Sequence, residues 1–208
     1  MKKFIDISGH NSSFTSSPGW AMQCTNRDGF TGVYIKSTEG LTYKFDKFET
    51  LAKAASDNNL LVGAYHFARP DPRELDYKRE ADYFLETLKG IPVQLPLALD
   101  LELADWGLDE PKALTQWAKN WLDYVKATSG LDVVLYTGPG FWKAHLGRTQ
   151  ELNDYKLWVA AYPAVVPKED ATPPSLGNWK PWAWQYSSKG KINNLDGNVD
   201  VNRLYGEI

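Results

Sequence analysis

The sequence predicts an α/β fold: an irregular TIM-like barrel of about eight strands with fewer helices, close to a (β/α)5(β)3 arrangement. Three observations predict it. Short β-branched or aliphatic runs alternate with helical patterns through the first two thirds of the chain, as βα units do. In the last third the runs are joined by Pro-, Gly- and Ser-rich stretches instead of long helical patterns. The length, 208 residues, sits at the lower end of the barrel range, which fits missing helices and one core rather than two.

The first four strands are read from "FIDIS" (4–8), "GVYIKST" (32–38), "LLVGAYHFA" (60–68) and "LPLALDLE" (95–102). Between them, "FDKFETLAKAASDNN" puts Phe45, Phe48, Leu51, Ala52 and Ala55 on one helical stripe, and Leu75, Ala81, Phe84, Leu85 and Leu88 repeat the pattern. A third helix starts near Pro111, buries Leu114, Trp117, Ala118, Trp121, Leu122 and Val125, and stops at Gly130. Four more strands follow: "DVVLYTG" (132–138), "LWVAAY" (157–162), "PWAWQYS" (181–187) and "NVDVNRLYG" (198–206). No repeat, low-complexity tract or composition break interrupts residues 1–208, so a single domain is expected.

A formal net charge of −3 gives no electrostatic reason to bind polyphosphate, and no nucleic acid is expected as a partner. Cys24 is the only cysteine, which excludes an intramolecular disulfide and a cysteine-based zinc cluster; it reads as a small, semi-buried residue. The N-terminus reaches Asp6 and His10 before any signal-peptide core could form, and no apolar run is long enough to span a membrane. Synthesis in the cytoplasm without membrane insertion is expected, unless a signal has been trimmed away. The nine Trp and eleven Tyr serve either to fill the core or to stack on sugars or bases.

The informative stretch is "LPLALDLE". Strand side chains alternate faces, so Leu97, Leu99 and Leu101 share one side while Ala98, Asp100 and Glu102 share the other. The leucines pack under helices, and the acids face inward. The same alternation turns Phe4, Asp6 and Ser8 inward against Ile5 and Ile7, and Asn198, Asp200 and Asn202 inward against Val199 and Val201. Closure of a barrel makes first and last strands neighbours, which brings Asp6 to Asp200, and Glu102 falls at the C-terminal barrel face where active sites are built.

Converging buried carboxylates repel one another and push at least one pKa upward, which is what a general acid requires. Any one of these acids alone could instead be a satisfied buried hydrogen-bonder. Clustered carboxylates also bind hard cations, but no His joins the inward set and no calcium-loop spacing appears, so neither metal nor cofactor is expected. Glycoside hydrolysis uses paired carboxylates beside aromatics. The i, i+2 spacing sets the two Cα atoms about 6.7 Å apart on one strand, so both acids address one side of a substrate, as in substrate-assisted hydrolysis.

In order, "FIDIS", "YIKSTEG", "VGAYHFARP", "LALDLE" and "AWQYSSKGKINNLDGNVDVN" resemble the glycoside hydrolase family 25 lysozymes, the Chalaropsis-type muramidases. The resemblance covers nearly the whole chain. It implies the irregular barrel and cleavage of the β-1,4 bond between N-acetylmuramic acid and N-acetylglucosamine in bacterial peptidoglycan. It implies Glu102 as general acid, Asp100 as stabiliser of positive charge or orienter of the acetamido group, and Asp6 and Asp200 as tuning and saccharide-binding acids. Lys36 and Tyr65 match motif positions near the site, and the lysine is expected to keep Asp100 charged while Glu102 holds its proton. Tyr136, Tyr162 and Trp184 are candidate saccharide platforms at strand ends. His66 should face away from Tyr65 as a structural hydrogen-bonder.

Many relatives carry wall-binding repeats, and none are visible in residues 1–208. The absent signal resembles phage endolysins, which accumulate in the host cytoplasm and reach the wall through a holin; a secreted enzyme with a trimmed signal would read the same. A monomer is expected. Two alternatives remain: a chitinase-like hydrolase, against which Leu95 and Ala98 occupy the earlier positions of the D-x-x-D-x-D-x-E pattern, and a catalytically silent glycan-binding barrel, which would be expected to lose Glu102.

Overall fold

The computed structural model describes residues 2–104, 107, 108 and 110–207. β1 (Lys3–Ile7) leads through two short helices, α1 (Ser12–Ser16) and α2 (Pro18–Arg27), to β2 (Gly32–Glu39), its two-residue partner β3 (Tyr43–Lys44) and α3 (Phe48–Asp57). Then come β4 (Leu61–Phe67), α4 (Asp76–Thr87), β5 (Leu97–Asp100), α5 (Pro111–Ser129), β6 (Val133–Thr137), α6 (Pro139–Ala144) and β7 (Lys156–Ala160). β8 (Pro181–Gly190) and β9 (Val199–Leu204) follow without helices.

The strand order is β1-β9-β8-β7-β6-β5-β4-β2-β3, and pairing of β1 with β2 closes an eight-stranded barrel from which β3 projects as an extra hairpin arm. All eight expected strands are present. β9, however, runs antiparallel to both of its neighbours. A parallel return needs a long crossover, and only eight residues join β8 to β9, so the chain doubles back as a hairpin. That reversal matters for the site: the start of β9 lies level with the C-terminal end of β1, and Asp200 sits directly across from Asp6.

Strand alternation divides the core in two. Ile5, Ile7, Leu97, Leu99, Leu101, Val199 and Val201 face outward and pack beneath the helices. Phe4, Tyr34, Ala98, Val134, Tyr136, Trp158 and Trp182 fill the barrel. This interior is an aromatic floor: Trp158 lies 4.7 Å from Tyr34, 5.3 Å from Phe4 and 5.0 Å from Tyr136, centroid to centroid. Tyr34 crosses Gly63, where a Cβ would meet its ring at 2.5 Å, so only glycine fits. The floor excludes water from the lower barrel and leaves the upper end open.

The helices follow the apolar stripes. α3 buries Phe48, Leu51, Ala52 and Ala55, and α5 buries all six expected residues before Gly130 ends it in the left-handed region at φ 70°. Leu75 departs from its stripe: it precedes α4 with φ 56°, and this left-handed turn leaves the side chain 49% exposed. Cys24 is buried in α2. Among the described residues, no helix is long and apolar enough to cross a membrane.

Candidate active site

At the C-terminal mouth of the barrel a cleft of about 270 Å³ is lined by Asp6, Lys36, Tyr65, Asp100, Glu102, Tyr136, Tyr162 and Asp200, together with Ser8, His10, Phe67, Trp158 and Gln185. Strand ends supply most of these side chains, so the barrel itself sets their positions. Eight of the nine residues singled out from sequence meet here. Trp184 does not: it is buried on the outer face, donating its indole N–H to Ala161 O at 2.7 Å. A bulge at Trp182 shifts the phase of β8, so Ala183 and Gln185 point inward and Trp184 outward.

The four acids differ in depth. Asp6 and Asp100 are each 7% exposed, Asp200 is half-buried, and Glu102 stands exposed at the mouth, just beyond β5. Burial pushes Asp6 up to about 8, reinforced by the negative charge of Asp200 and opposed by hydrogen bonds from Asn202 and Gln185. Burial and then the charge of Glu102 raise Asp200 to about 6. Asp100 is raised well above the carboxylate range by burial and then by Glu102, with Lys36 opposing. Glu102 is raised by the water its cleft walls displace, again against Lys36.

Lys36 acts on Asp100 in the expected direction, but burial outweighs it there, and it lowers Glu102 as well. The Lys36 ammonium is ion-paired to Glu39, which also accepts from Arg69 Nε at 2.9 Å, and it lies 4.5 Å from the centroid of the Phe67 ring. Much of its charge is spent there, and desolvation dominates at Asp100. Burial therefore raises the deep aspartates as well as Glu102. Asp100 Oδ1 is buried without a hydrogen-bond partner among the described residues.

Asp6 is held differently. Its Oδ2 accepts from Gln185 Nε2 at 2.9 Å and Asn202 Nδ2 at 2.8 Å. Asn202 Oδ1 accepts from Trp158 Nε1 at 2.8 Å, and Gln185 Oε1 accepts from Tyr136 at 2.8 Å and Tyr162 at 2.5 Å. Gln185, Trp158 and Phe67 were not singled out from sequence. A lone Gln among the aromatics of "PWAWQYS" is the signal that could have found the first.

Acids gathered at the C-terminal mouth of a closed α/β barrel, above an aromatic floor, are the architecture of the barrel glycoside hydrolases. The chain belongs to glycosyl hydrolases family 25, whose family model matches residues 5–195. It is similar to the autolytic lysozyme of Clostridium acetobutylicum, 31% identical over 177 residues, covering 85% of this chain and 49% of that protein. It is also similar to lysozyme M1 of Streptomyces globisporus, 32% identical over 187 residues, covering 86% of this chain and 61% of that protein. The chain thus spans about half to three fifths of these two relatives' lengths. The crystal structure of a bacterial lysozyme from Streptomyces coelicolor superposes with a TM-score of 0.82 at 29% identity, covering 99% of this chain and 92% of that one.

Proposed function

We propose that the protein is a muramidase that cuts the β-1,4 bond between N-acetylmuramic acid and N-acetylglucosamine in peptidoglycan. The observation that carries this reading is the pairing of exposed Glu102 with buried Asp100, whose Oδ1 is unpartnered, two residues apart on one inward face in a family 25 barrel.

Glu102, its proton retained by the raised pKa, protonates the glycosidic oxygen as the C1–O bond breaks. Both acids address the sugar from one side, so the acetamido oxygen attacks C1 to close an oxazolinium ring. Asp100, in the cleft lining, accepts the acetamido N–H, and the developing positive charge favours its ionised form. Water then opens the ring at C1 and gives a proton to the Glu102 carboxylate, restoring the acid. Asp200 and Asp6 border the same saccharide, with Tyr65, Tyr136 and Tyr162 as its walls.

All four acids come from one chain, which supports action as a monomer. The substrate puts the place of action at the bacterial wall, reached by release from the cytoplasm through a membrane lesion or by secretion.

Mass spectrometry of digested peptidoglycan, reduced with borohydride before analysis, tests the reading. Reduced muramic-acid ends are expected. Reduced glucosamine ends, or no soluble fragments from several wall types, would overturn it.

A further inference from the structure

Gln185 is 2% exposed, has no titratable group and joins three elements of the cleft. Its environment fixes which way its amide points. Asn202 provides the reference: the indole N–H of Trp158, which can only donate, marks the oxygen of Asn202, and the carbonyl of Phe4, which can only accept, faces Asn202 Nδ2 at 3.3 Å. Nδ2 therefore also faces Asp6 Oδ2, and any proton on Asp6 sits on Oδ1. With Oδ2 an acceptor in either protonation state, the group of Gln185 facing it must be the NH2, and Gln185 Oε1 faces the two phenols. The two phenols also lie within hydrogen-bond reach of each other, so Oε1 accepts from the Tyr136–Tyr162 pair as a unit.

We propose that Gln185 is a positioning residue that sets the hydrogen-bond polarity of the cleft: its carbonyl accepts from the Tyr136–Tyr162 phenol pair and biases the rim phenol toward accepting from the saccharide, while its amide anchors Asp6 between strands β8 and β1. Tyr162, 55% exposed at the rim, then selects ligand groups that donate, a sugar hydroxyl or an amide N–H, and disfavours a bare ether or carbonyl oxygen. The inference rests on the muramidase reading for the identity of the ligand, but not for the anchoring of Asp6.

Two variants separate the arms. Gln185→Glu keeps an oxygen for both phenols and removes the N–H given to Asp6; Gln185→Leu removes both. The groups facing Asp6 are Asp200 on β9, Asp100 on β5, Glu102 beyond it, and Tyr65, Tyr136 and Tyr162, with Lys36 across the cleft. Carboxyl 13C NMR titration reads Asp6 directly. Its midpoint is expected to rise by roughly half a pH unit or more in folded Gln185→Leu, because an N–H favouring the ionised form is gone, and further in Gln185→Glu, where a second carboxyl is added beside Asp6. KM for soluble wall fragments is expected to rise by about 3-fold or more in Gln185→Leu, and less in Gln185→Glu, which keeps the phenols anchored. An unmoved Asp6 midpoint in folded variants, or equal KM in Gln185→Leu and wild type, overturns the proposal. If the wild type digests nothing, the muramidase reading fails while the titration still judges the anchoring of Asp6.

Discussion

Two buried polar clusters lie on opposite faces of the same strands, and they are built to opposite rules. Behind the sheet, His66 is fully buried between Thr38 Oγ1 at 2.8 Å and Glu80 Oε2 at 2.6 Å, stacked on Trp121 at 5.7 Å. Glu80 Oε2 also accepts the backbone N–H of Arg69. Both ring nitrogens of His66 are thus paired within the protein, although the indole N–H of Trp121 has no partner among the described residues. Inside the barrel, one residue away along β4, Tyr65 looks onto acids that face acids, with Asp100 Oδ1 left open. A buried polar group that finds its partners internally supports the fold; one left facing like charges keeps its bonds for a ligand and costs stability until one arrives.

The sharpest break in this comparison is Glu102→Gln. The amide is nearly isosteric but cannot donate as a carboxylic acid, so turnover is expected to fall by about 10²–10⁴-fold while the denaturation midpoint stays near wild type. Next is Glu80→Ala. It strips the partners from His66 Nε2 and Arg69 N at a buried site, and is expected to cost about 3–5 kcal/mol, measured by urea denaturation, with turnover per folded molecule kept.

Asp6→Asn tests the inner cluster from the other side. The native pKa of Asp6 lies above its unfolded value, so between pH 4 and pH 8 the folded protein keeps a proton that the unfolded chain releases. Stability must therefore fall as pH rises through that window. Asparagine mimics the protonated form, so the variant is expected to match wild type near pH 4 and to exceed it by a gap that grows to roughly 5 kcal/mol at pH 8, at about 1.4 kcal/mol per pH unit. Thermal melts across pH would show that gap opening; parallel curves would show that Asp6 is not held protonated. The smallest effect expected is that of Trp184→Phe, which removes one outer hydrogen bond and should leave KM unchanged, in contrast to the cleft tyrosines.

Much of the inner cluster was legible because strand period is two and each acid is flanked by aliphatic residues that choose the outer face: Ile5 and Ile7 around Asp6, Leu99 and Leu101 around Asp100, Val199 and Val201 around Asp200. The parity argument also placed His66 behind the sheet. Two readings failed where the local period breaks: the bulge at Trp182 turns Trp184, a candidate saccharide platform, to the outer face, and the left-handed turn at Leu75 pulls that residue off its helix stripe. The position of Lys36 was legible, but not its pairing: Glu39 reaches it across a β-bulge in β2 and is tied in turn to Arg69. The direction of β9 was legible only indirectly, in the lack of a helix before it.

The central claim is that the two clusters have separate jobs, and one paired measurement tests it. Wild type, Glu102→Gln and Glu80→Ala are compared for urea midpoint and for rate of peptidoglycan solubilisation per folded molecule, in one buffer at one temperature. Glu102→Gln is expected to lose the rate and keep the midpoint, and Glu80→Ala to lose the midpoint and keep the rate. A folded Glu102→Gln protein that lyses near the wild-type rate, or a folded Glu80→Ala protein that does not lyse, would contradict the claim.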